Sequence, residues 1–301
     1  MRFDETGSGR GVPAEVEALA RTSFDLDGDD AAGLPEMVWS DSDGAARVRL
    51  LAWDGDRIVG VAVGSVVEAT GFLDLLAVAP EWRRRGIGRE LLGRWETRAA
   101  VLGGETLAIG ANLHSYAWPG VDIRYTPAIA MFLKAGYARR DVLFNMDVDL
   151  MEVVPPTASE LRRIEDAGVT LRRGVVEDAD TLARHTASEW TEVWARETQA
   201  ALHRSPSSIF LAFAEDEVIG FAAHSVLRAT HFGPLATAPA WRRIGLGGAL
   251  TRLALADMVS LGQRIVEIAW VAQDAIPFYS RSVNARLGRT FWTMTRKGTE
   301  T

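Results

Sequence analysis

The feature that most constrains the fold is a long internal repeat. Residues 74–92 (DLLAVAPEWRRRGIGRELL) and 233–251 (GPLATAPAWRRIGLGGALT) share the pattern A-x-A-P-x-W-R-R-x-G-x-G without a gap. Matched residues lie 159 positions apart, and an upstream match between 50–65 and 210–225 lies 160 positions apart. A period of this length indicates two copies of a whole domain rather than a solenoid of short repeats.

Both copies carry the same order of predicted elements. Residues 50–65 and 210–225 each contain two apolar strands joined by an acidic turn, which predicts a β-hairpin. A third strand leads into the glycine-containing turn, and the residues after that turn have helical spacing. A further strand is predicted at 105–112 and at 264–271. Each copy therefore has the order helix, hairpin, strand, glycine turn, helix, strand, helix.

The ends of the two copies are set by weaker signals. The second copy begins with a predicted strand at Val169–Arg173 and a helix over 177–190, and the matching first helix is expected at 14–22. Pro155-Pro156 interrupts regular structure between the copies. We therefore expect a first domain over 1–150, a linker over 151–168 that contains a linking helix over 161–168, and a second domain over 169–301.

Composition excludes several classes of protein. Hydrophobic residues make up 48% and charged residues 24% of the 301 residues, as in packed globular proteins. The chain has no cysteine, which excludes disulfides and a cysteine nucleophile and fits a cytoplasmic protein. The start of the chain, MRFDETGSGRG, has no apolar run, so we expect no signal peptide. We also expect no membrane span, because no apolar stretch approaches about 20 residues.

The acidic balance bears on the partner. The formal net charge is −7, which argues against a nucleic-acid binder and suits a cationic substrate such as an amine. The histidines show no metal-ligand spacing, so no metal is expected. A small-molecule partner is therefore predicted, and the protein is expected to be a monomer or a homodimer.

The repeated turn has the features of an anion site. A helix N-terminus presents unpaired amides to an anion, and Gly86 and Gly88 let a phosphate approach the backbone closely. A tight turn with solvated arginines is the alternative, and the second copy of the pattern argues against it. Leu91 and Leu250 stand where a dinucleotide fingerprint needs a third small residue. The G-K-[ST] of nucleotide-triphosphate loops is absent as well.

The turn resembles the acetyl-CoA motif of the GNAT superfamily of N-acetyltransferases, V-x-P-x-x-R-x-x-G-x-G followed by a helix. The first copy has Val78, Pro80, Arg83, Gly86 and Gly88, whereas the second has Thr237 in place of the valine. The resemblance covers about residues 45–140 and 169–290. It implies an α/β (α+β) fold with two GNAT domains. Each domain would have a mixed, mostly antiparallel central sheet with splayed fourth and fifth strands, flanked by helices.

The resemblance also implies where acetyl-CoA would bind as acyl donor. The pantetheine arm would lie along 75–79 and 234–238, and the diphosphate on the amides of 84–89 and 243–248. The implied donor residues of the first copy are Leu76, Ala77, Val78, Arg83, Arg84, Arg85, Gly86, Ile87, Gly88 and Arg89. Those of the second copy are Leu235, Ala236, Thr237, Arg242, Arg243, Ile244, Gly245, Leu246, Gly247 and Gly248.

Acetyl transfer to an amine needs a base for the amine proton and an acid for the thiolate. In the superfamily the acid is often the tyrosine of an F-Y pair, which Phe278-Tyr279 matches. The first copy has Phe132 at the place of Tyr279, and phenylalanine has no hydroxyl. His231, on the fourth strand, is the candidate base, with an exposed edge-strand histidine as the alternative. Asp74 is the candidate in the first copy, although an exposed strand acid is the simpler interpretation.

The first copy has an insertion of about 12 residues within HSYAWPGVDIRYTP (114–127). This loop carries the aromatic and acidic side chains Tyr116, Trp118, Asp122 and Tyr125, which could hold an amino sugar or another cationic amine. A lid packed on the neighbouring domain is the alternative.

These observations predict an acetyl-CoA-dependent N-acetyltransferase that acts on the primary amine of a small molecule, with an amino sugar as one candidate, by direct attack in a ternary complex. The alternative is a noncatalytic acyl-CoA-binding or regulatory protein. The tandem plan also resembles that of the mycothiol synthases. Neither copy reproduces their N-x-x-A…Y-x-x-x-G-F pattern in full, which argues against that acceptor.

Overall fold

The computed structural model describes residues 1–7, 11–27, 30–40, 45–115, 117–189 and 192–298. It divides into two compact units. The N-terminal unit comprises Met1–Leu143 and Thr290–Thr301, and the C-terminal unit comprises Phe144–Arg289. Among the described residues, no helix has the length and apolar character needed to cross a membrane.

The N-terminal unit is built on six strands and four helices of the described chain. Its strands are β1 (Arg2–Glu5), β2 (Ala46–Asp54), β3 (Arg57–Val67), β4 (Thr70–Val78), β5 (Thr106–Ile109) and β6 (Val121–Asp122), and its helices are α1 (Ala14–Ser23), α2 (Asp30–Trp39), α3 (Ile87–Val101) and α4 (Thr126–Lys134). Strand β7 (Ala138–Asp149) begins in this unit and ends in the next.

The C-terminal unit repeats this order. Its strands are β8 (Val169–Arg173), β9 (Ile209–Ala214), β10 (Glu217–His224), β11 (His231–Thr237) and β12 (Ile265–Val271), and its helices are α5 (Ala158–Asp166), α6 (Ala179–Glu189), α7 (Glu192–Leu202), α8 (Leu246–Ser260) and α9 (Ile276–Val283). The last strand, β13 (Arg286–Lys297), begins in this unit and ends in the N-terminal unit.

Both sheets are mixed and mostly antiparallel, as predicted. In the N-terminal unit the strand order is β1-β2-β3-β4-β5-β13, and in the C-terminal unit it is β7-β12-β11-β10-β9-β8. The parallel neighbours are β4 with β5 and β11 with β12. The predicted strand at Val169–Arg173 has the expected bounds, and both predicted hairpins are present.

The parallel strands separate partway along their length. The β4–β5 ladder ends at the pair Leu73 and Ile109, although β4 continues to Val78. In the other sheet, Phe232 and Ile268 form the last pair, and β11 continues to Thr237. The far half of each fourth strand therefore has an edge that its parallel neighbour does not cover. This is the predicted splay.

Helices cover both faces of each sheet with apolar side chains. In the N-terminal unit, Leu91 and Trp95 of α3 are fully buried against one face, and Val38 of α2 belongs to the cluster on the other. The C-terminal unit buries Leu250 of α8 and Leu182 of α6 in the same way. Each unit therefore has its own core on each face of its sheet, which holds the fourth strand and the following glycine turn in place.

The closing strands do not follow the domain boundaries expected from the sequence. Residues 294–297 of β13 pair with β5 in the N-terminal unit, whereas residues 144–149 of β7 lie in the C-terminal unit and pair with β12. The expected boundaries place β7 wholly in the first domain and β13 wholly in the second. The structure differs because each strand's hydrogen-bond partners lie in the other half of the sequence. The segment 151–168, expected to be a linker, contains α5 of the C-terminal unit.

Candidate active site

The two glycine turns have the same backbone conformation. Arg84 and Arg243 have φ values of 65° and 70°, and Gly86 and Gly245 have φ values of 86° and 91°. These left-handed residues turn the chain from the fourth strand directly into α3 or α8. The first amides of a helix have no carbonyl partner within it, so each turn aims several N–H groups at one point. Each turn can therefore bind an anion.

The first arginine of each turn hydrogen-bonds the protein itself. Arg83 donates from Nε to the Val78 carbonyl oxygen over 3.3 Å and from Nη2 to that of Ser23 over 2.8 Å. Arg242 likewise donates to the Thr237 carbonyl oxygen over 3.1 Å. These side chains close the turn back onto the end of the fourth strand. The sequence predicted their charge but not this positioning role.

The second glycine of each turn allows close packing of a following helix. A Cβ on Gly88 would lie 3.5 Å from Met131 Sδ, and one on Gly247 would lie 3.4 Å from Phe278 Cζ. Met131 and Phe278 therefore occupy equivalent positions, as their sequence alignment predicts. Their neighbours Phe132 and Tyr279 consequently correspond as well.

Tyr279 lies at the point where β11 and β12 separate. Its ring meets Phe232, the last paired residue of β11, edge to face with centroids 6.3 Å apart. Among the described residues, no hydrogen bond to its hydroxyl is formed. Burial raises the pKa of this hydroxyl well above its usual value, so Tyr279 keeps its proton at neutral pH. The geometry suits a proton donor.

The N-terminal unit has no hydroxyl at this place. Phe132 is buried and packs edge to face on Tyr137, with ring centroids 5.8 Å apart. The Tyr137 hydroxyl donates to Glu96 of α3 over 2.9 Å. Tyr137 therefore ties two helical segments together and does not replace the missing tyrosine.

His231 is buried and paired. Its Nε2 lies 3.1 Å from Glu267 Oε1 on the neighbouring strand β12, and the residue is only 9% exposed. This corrects the alternative of an exposed edge-strand histidine. Burial acts to raise the pKa of Glu267, but the hydrogen bond from His231 and the nearby Arg289 and Arg228 together outweigh burial and lower the pKa of this carboxyl. In the neutral ring that donates Nε2–H to this carboxylate, Nδ1 has the lone pair. Within the described structure, Nδ1 is buried without a partner.

Asp74 is buried too, which corrects the simpler interpretation of an exposed strand acid. It is the first residue of β4 beyond the last pair with β5. Asn112 Nδ2 and Ser115 Oγ donate to it over 2.9 and 3.0 Å, and Arg47 lies 3.9 Å away. Burial raises the pKa of Asp74 to about 6, although these donors and Arg47 act in the opposite direction. The sequence did not reveal this network, because its members come from three segments that lie far apart in the chain.

The insertion at 114–127 is held by protein contacts. Trp118 stacks on Phe291 with centroids 6.1 Å apart. Asp122 is buried and ion-paired with Arg124 over 2.7 Å. The Tyr125 hydroxyl donates to Asp27 over 2.6 Å. Tyr116 lies outside the described residues. The described side chains thus have structural partners, and their predicted contact with substrate stays a prediction.

Two further titratable groups are buried in the C-terminal unit. Glu197 of α7 is 8% exposed and has no hydrogen-bonding partner within the described chain. His224 lies 2.9 Å from Asp257, which also accepts from Arg173 over 2.8 Å. Burial lowers the pKa of His224 despite the nearby carboxylate, so the ring is neutral. The His224 network links β10, α8 and β8 and is structural. The sequence made His224 a weaker candidate base with a structural role as the simpler interpretation, whereas Glu197 was not singled out.

Comparison with known proteins defines the class. The sequence profile of the acetyltransferase (GNAT) family matches residues 15–137 and 177–283. The mycothiol acetyltransferase of Geodermatophilus obscurus is 33% identical over 79% of this chain and 79% of its own length. The mycothiol acetyltransferase of Cellulomonas flavigena is 27% identical over 91% of this chain and 83% of its own length.

Solved structures share the fold. A tandem GNAT protein from the clavulanic acid biosynthesis pathway superposes with a TM-score of 0.67 at 17% identity, covering 100% of both chains. A second match is the glucosamine N-acetyltransferase region of a fungal multidomain GH3 β-N-acetylglucosaminidase. It superposes with a TM-score of 0.78 at 19% identity and covers 98% of this chain and 38% of that one.

The chain therefore belongs to the GNAT family of acetyltransferases, with a family domain in each half. It is an acyltransferase of the N-acetyltransferase type. Both of these relatives are named for mycothiol acetylation, the activity that the sequence pattern argued against, so its acceptor enters the proposal below.

Proposed function

We propose that the protein transfers the acetyl group of acetyl-CoA to the primary amine of a small molecule by direct attack in a ternary complex. The observation that carries this proposal is the same juxtaposition in both units. An uncovered strand edge leads straight into a glycine turn with converging amides. A linear thioester with a diphosphate at its far end matches that arrangement of strand edge and anion site.

The residues of each unit fit such a donor. The edge of β4 beyond Leu73 and that of β11 beyond Phe232 can take an amide-bearing arm as an added strand. At Gly86, no described atom lies within 4 Å of the place where a Cβ would stand, so a diphosphate can approach the backbone. When bound, acetyl-CoA would supply the activated acetyl group.

The C-terminal unit offers both proton-transfer groups. His231 Nδ1 would accept the amine proton, while Glu267 on the opposite nitrogen fixes the tautomer and stabilises the imidazolium. The Tyr279 hydroxyl would donate a proton to the departing thiolate. Both side chains lie where β11 and β12 separate, which is where the acetyl end of the donor would lie. Catalysis is therefore proposed for this unit.

Among the described residues, the N-terminal unit offers a base but no matching acid at the equivalent place. Asp74 would be ionised above a pH of about 6 and could receive a proton, but Phe132 cannot donate one. This unit is proposed to bind the donor and to turn over slowly or not at all.

The acceptor is proposed from the relatives. Their names put the unacetylated form of mycothiol first, and the fungal structure makes glucosamine the second amine to examine. The acidic net charge of −7 favours encounter with a cationic amine of either kind.

The test is an acetylation assay that detects the acetylated product by mass spectrometry. The purified chain is given acetyl-CoA and, in turn, unacetylated mycothiol, glucosamine and a panel of simple primary amines. Amine-dependent product supports the proposal, and the most efficiently used amine names the acceptor class. CoA binding without product from any amine would instead favour the noncatalytic acyl-CoA-binding alternative.

A further inference from the structure

Helix α5, in the segment between the two sequence repeats, is held firmly against the C-terminal unit. Thr157 caps its first turn in a reciprocal arrangement with Glu160. Ile164 is 2% exposed and belongs to the core formed with α8. Glu160 Oε1 also accepts from Arg252 Nη2 of α8 over 2.8 Å. The helix is therefore fixed in position beside α8.

Arg163 stands one turn after Glu160 on this helix. Its Nη2 lies 3.8 Å from the place where a Cβ on Gly245 would stand, next to the first turn of α8. Its side chain is exposed, and the described part of the chain gives it no acceptor. The guanidinium thus lies beside the glycine turn without an acidic partner in the described part of the chain.

The N-terminal turn serves as an internal comparison. Its backbone conformation is the same, but no described atom lies within 4 Å of the corresponding position on Gly86. Since α5 precedes only the second repeat, the extra guanidinium distinguishes the two turns.

We infer that Arg163 is a phosphate-binding residue of the C-terminal donor site, where it pairs with the diphosphate of CoA. This inference rests on the proposed function and adds to it a residue that the glycine motif does not contain. Guanidinium binds phosphate oxygens in a bidentate manner, and the neighbouring amides of the turn would hold the same group. The C-terminal turn should consequently bind CoA more tightly than the N-terminal turn, by an amount that falls as salt rises.

The experiment follows each turn separately in the full-length chain. Hydrogen–deuterium exchange with mass spectrometry is recorded during titration with CoA, and protection is read for residues 84–91 and 243–250. The variant is Arg163→Ala, with Arg163→Lys as a partial replacement. Arg162→Ala is the matched control, because Arg162 is an exposed neighbour of the same charge on the same helix. Circular dichroism checks folding.

In Arg163→Ala, the CoA concentration that gives half of the full protection of 243–250 should rise about tenfold. The same increase is expected with dephospho-CoA, which keeps the diphosphate. The substitution should leave 84–91 unchanged and should not alter any binding of pantetheine. Arg163→Lys should fall between Arg163→Ala and the parent, and Arg162→Ala should match the parent.

Other outcomes separate the two proposals. Protection of 243–250 with an unchanged midpoint in Arg163→Ala overturns the inference and leaves the donor site standing. A loss seen with CoA but not with dephospho-CoA overturns the diphosphate assignment, because Arg163 would then contact the 3′-phosphate. No protection at either turn of the parent chain would contradict the proposed function itself.

Discussion

At the scale of single residues, the proposal depends most on the hydroxyl of Tyr279. Tyr279→Phe removes the proton donor and keeps the ring that packs on Phe232. We expect kcat to fall roughly 10- to 10³-fold while acetyl-CoA affinity stays nearly constant, because only the proton given to the thiolate is lost. Steady-state kinetics and a binding titration measure the two quantities. Phe132→Leu is the control in the other unit, and an equal loss there would argue against C-terminal catalysis.

The two candidate bases can be distinguished by matched amide substitutions. His231→Gln should lower kcat/KM, because the group that receives the amine proton is gone. For the same reason, the acidic limb of the plot of kcat/KM against pH should become flat. Asp74→Asn should leave the rate within about twofold, since the N-terminal unit lacks a partner acid. Rates measured from pH 5 to 9 with the best acceptor provide the test. The opposite result would be that His231→Gln keeps its activity while Asp74→Asn loses the rise in rate near pH 6. Catalysis would then belong to the N-terminal unit.

Glu197 links burial to stability. Burial raises its pKa from 4.5 to about 7, and nearby Arg196 opposes this only in part. Below pH 4.5 the carboxyl is protonated in both states, so its ionisation does not affect the free energy of unfolding. Between pH 4.5 and 7 the unfolded state ionises first, so stability falls as the pH rises, by up to about 3 kcal/mol. Glu197→Gln should therefore stabilise the protein at pH 8 but not at pH 4, as denaturant titrations at both values would show.

At the scale of elements, each strand–turn–helix unit should bind the donor on its own. Gly86→Val and Gly245→Val place a branched side chain at φ values of 86° and 91°, where it is strained and projects over the turn. Each variant should lose CoA binding at its own turn only. Calorimetry of both variants gives the stoichiometry, with circular dichroism as a check on folding. If the parent chain binds one CoA and Gly245→Val still binds one, the C-terminal turn is not a binding site.

The elements also explain which parts of the structure can be predicted locally. A hairpin, a turn with glycine at left-handed positions and an amphipathic helix depend on neighbours a few residues away. The Arg84 and Arg243 conformations were not predicted, because left-handed φ in a non-glycine residue has no strong local signal. Likewise, the helix expected within the linker over 161–168 begins earlier, at Ala158, where Thr157 and Glu160 form a capping pattern that marks its start.

At the scale of the whole molecule, the closing strands make the two halves of the sequence interdependent. Deleting 290–301 removes the partner of β5 and the fully buried Phe291 and Met294 from the N-terminal unit. Loss of each such side chain costs about 2–5 kcal/mol, so this unit should unfold at a lower temperature. Limited proteolysis and hydrogen exchange should show early loss of protection in 46–78.

The C-terminal unit provides the control for this deletion. Its core, with Leu250 and Met258, contains no described residue beyond 289, so protection of 243–250 by CoA should persist. An unchanged N-terminal unit would mean that β13 contributes little to its stability.

The repeat was enough to predict the order of elements and the two glycine turns, because these depend on periodicity and on residues with special backbone freedom. The fold class was implied by the resemblance of the repeated turn to the acetyl-CoA motif. The sequence also aligned Tyr279 with Phe132, because both lie in the helix after the last strand of the copy. The alignment holds despite the insertion of about 12 residues in the first copy. Only the tertiary structure decided that Asp74 and His231 are buried, and with which partners. Their networks join segments far apart in the chain, and burial depends on everything packed around a residue. The same holds for the closing strands and for Arg163, whose positions depend on which segments the fold brings together.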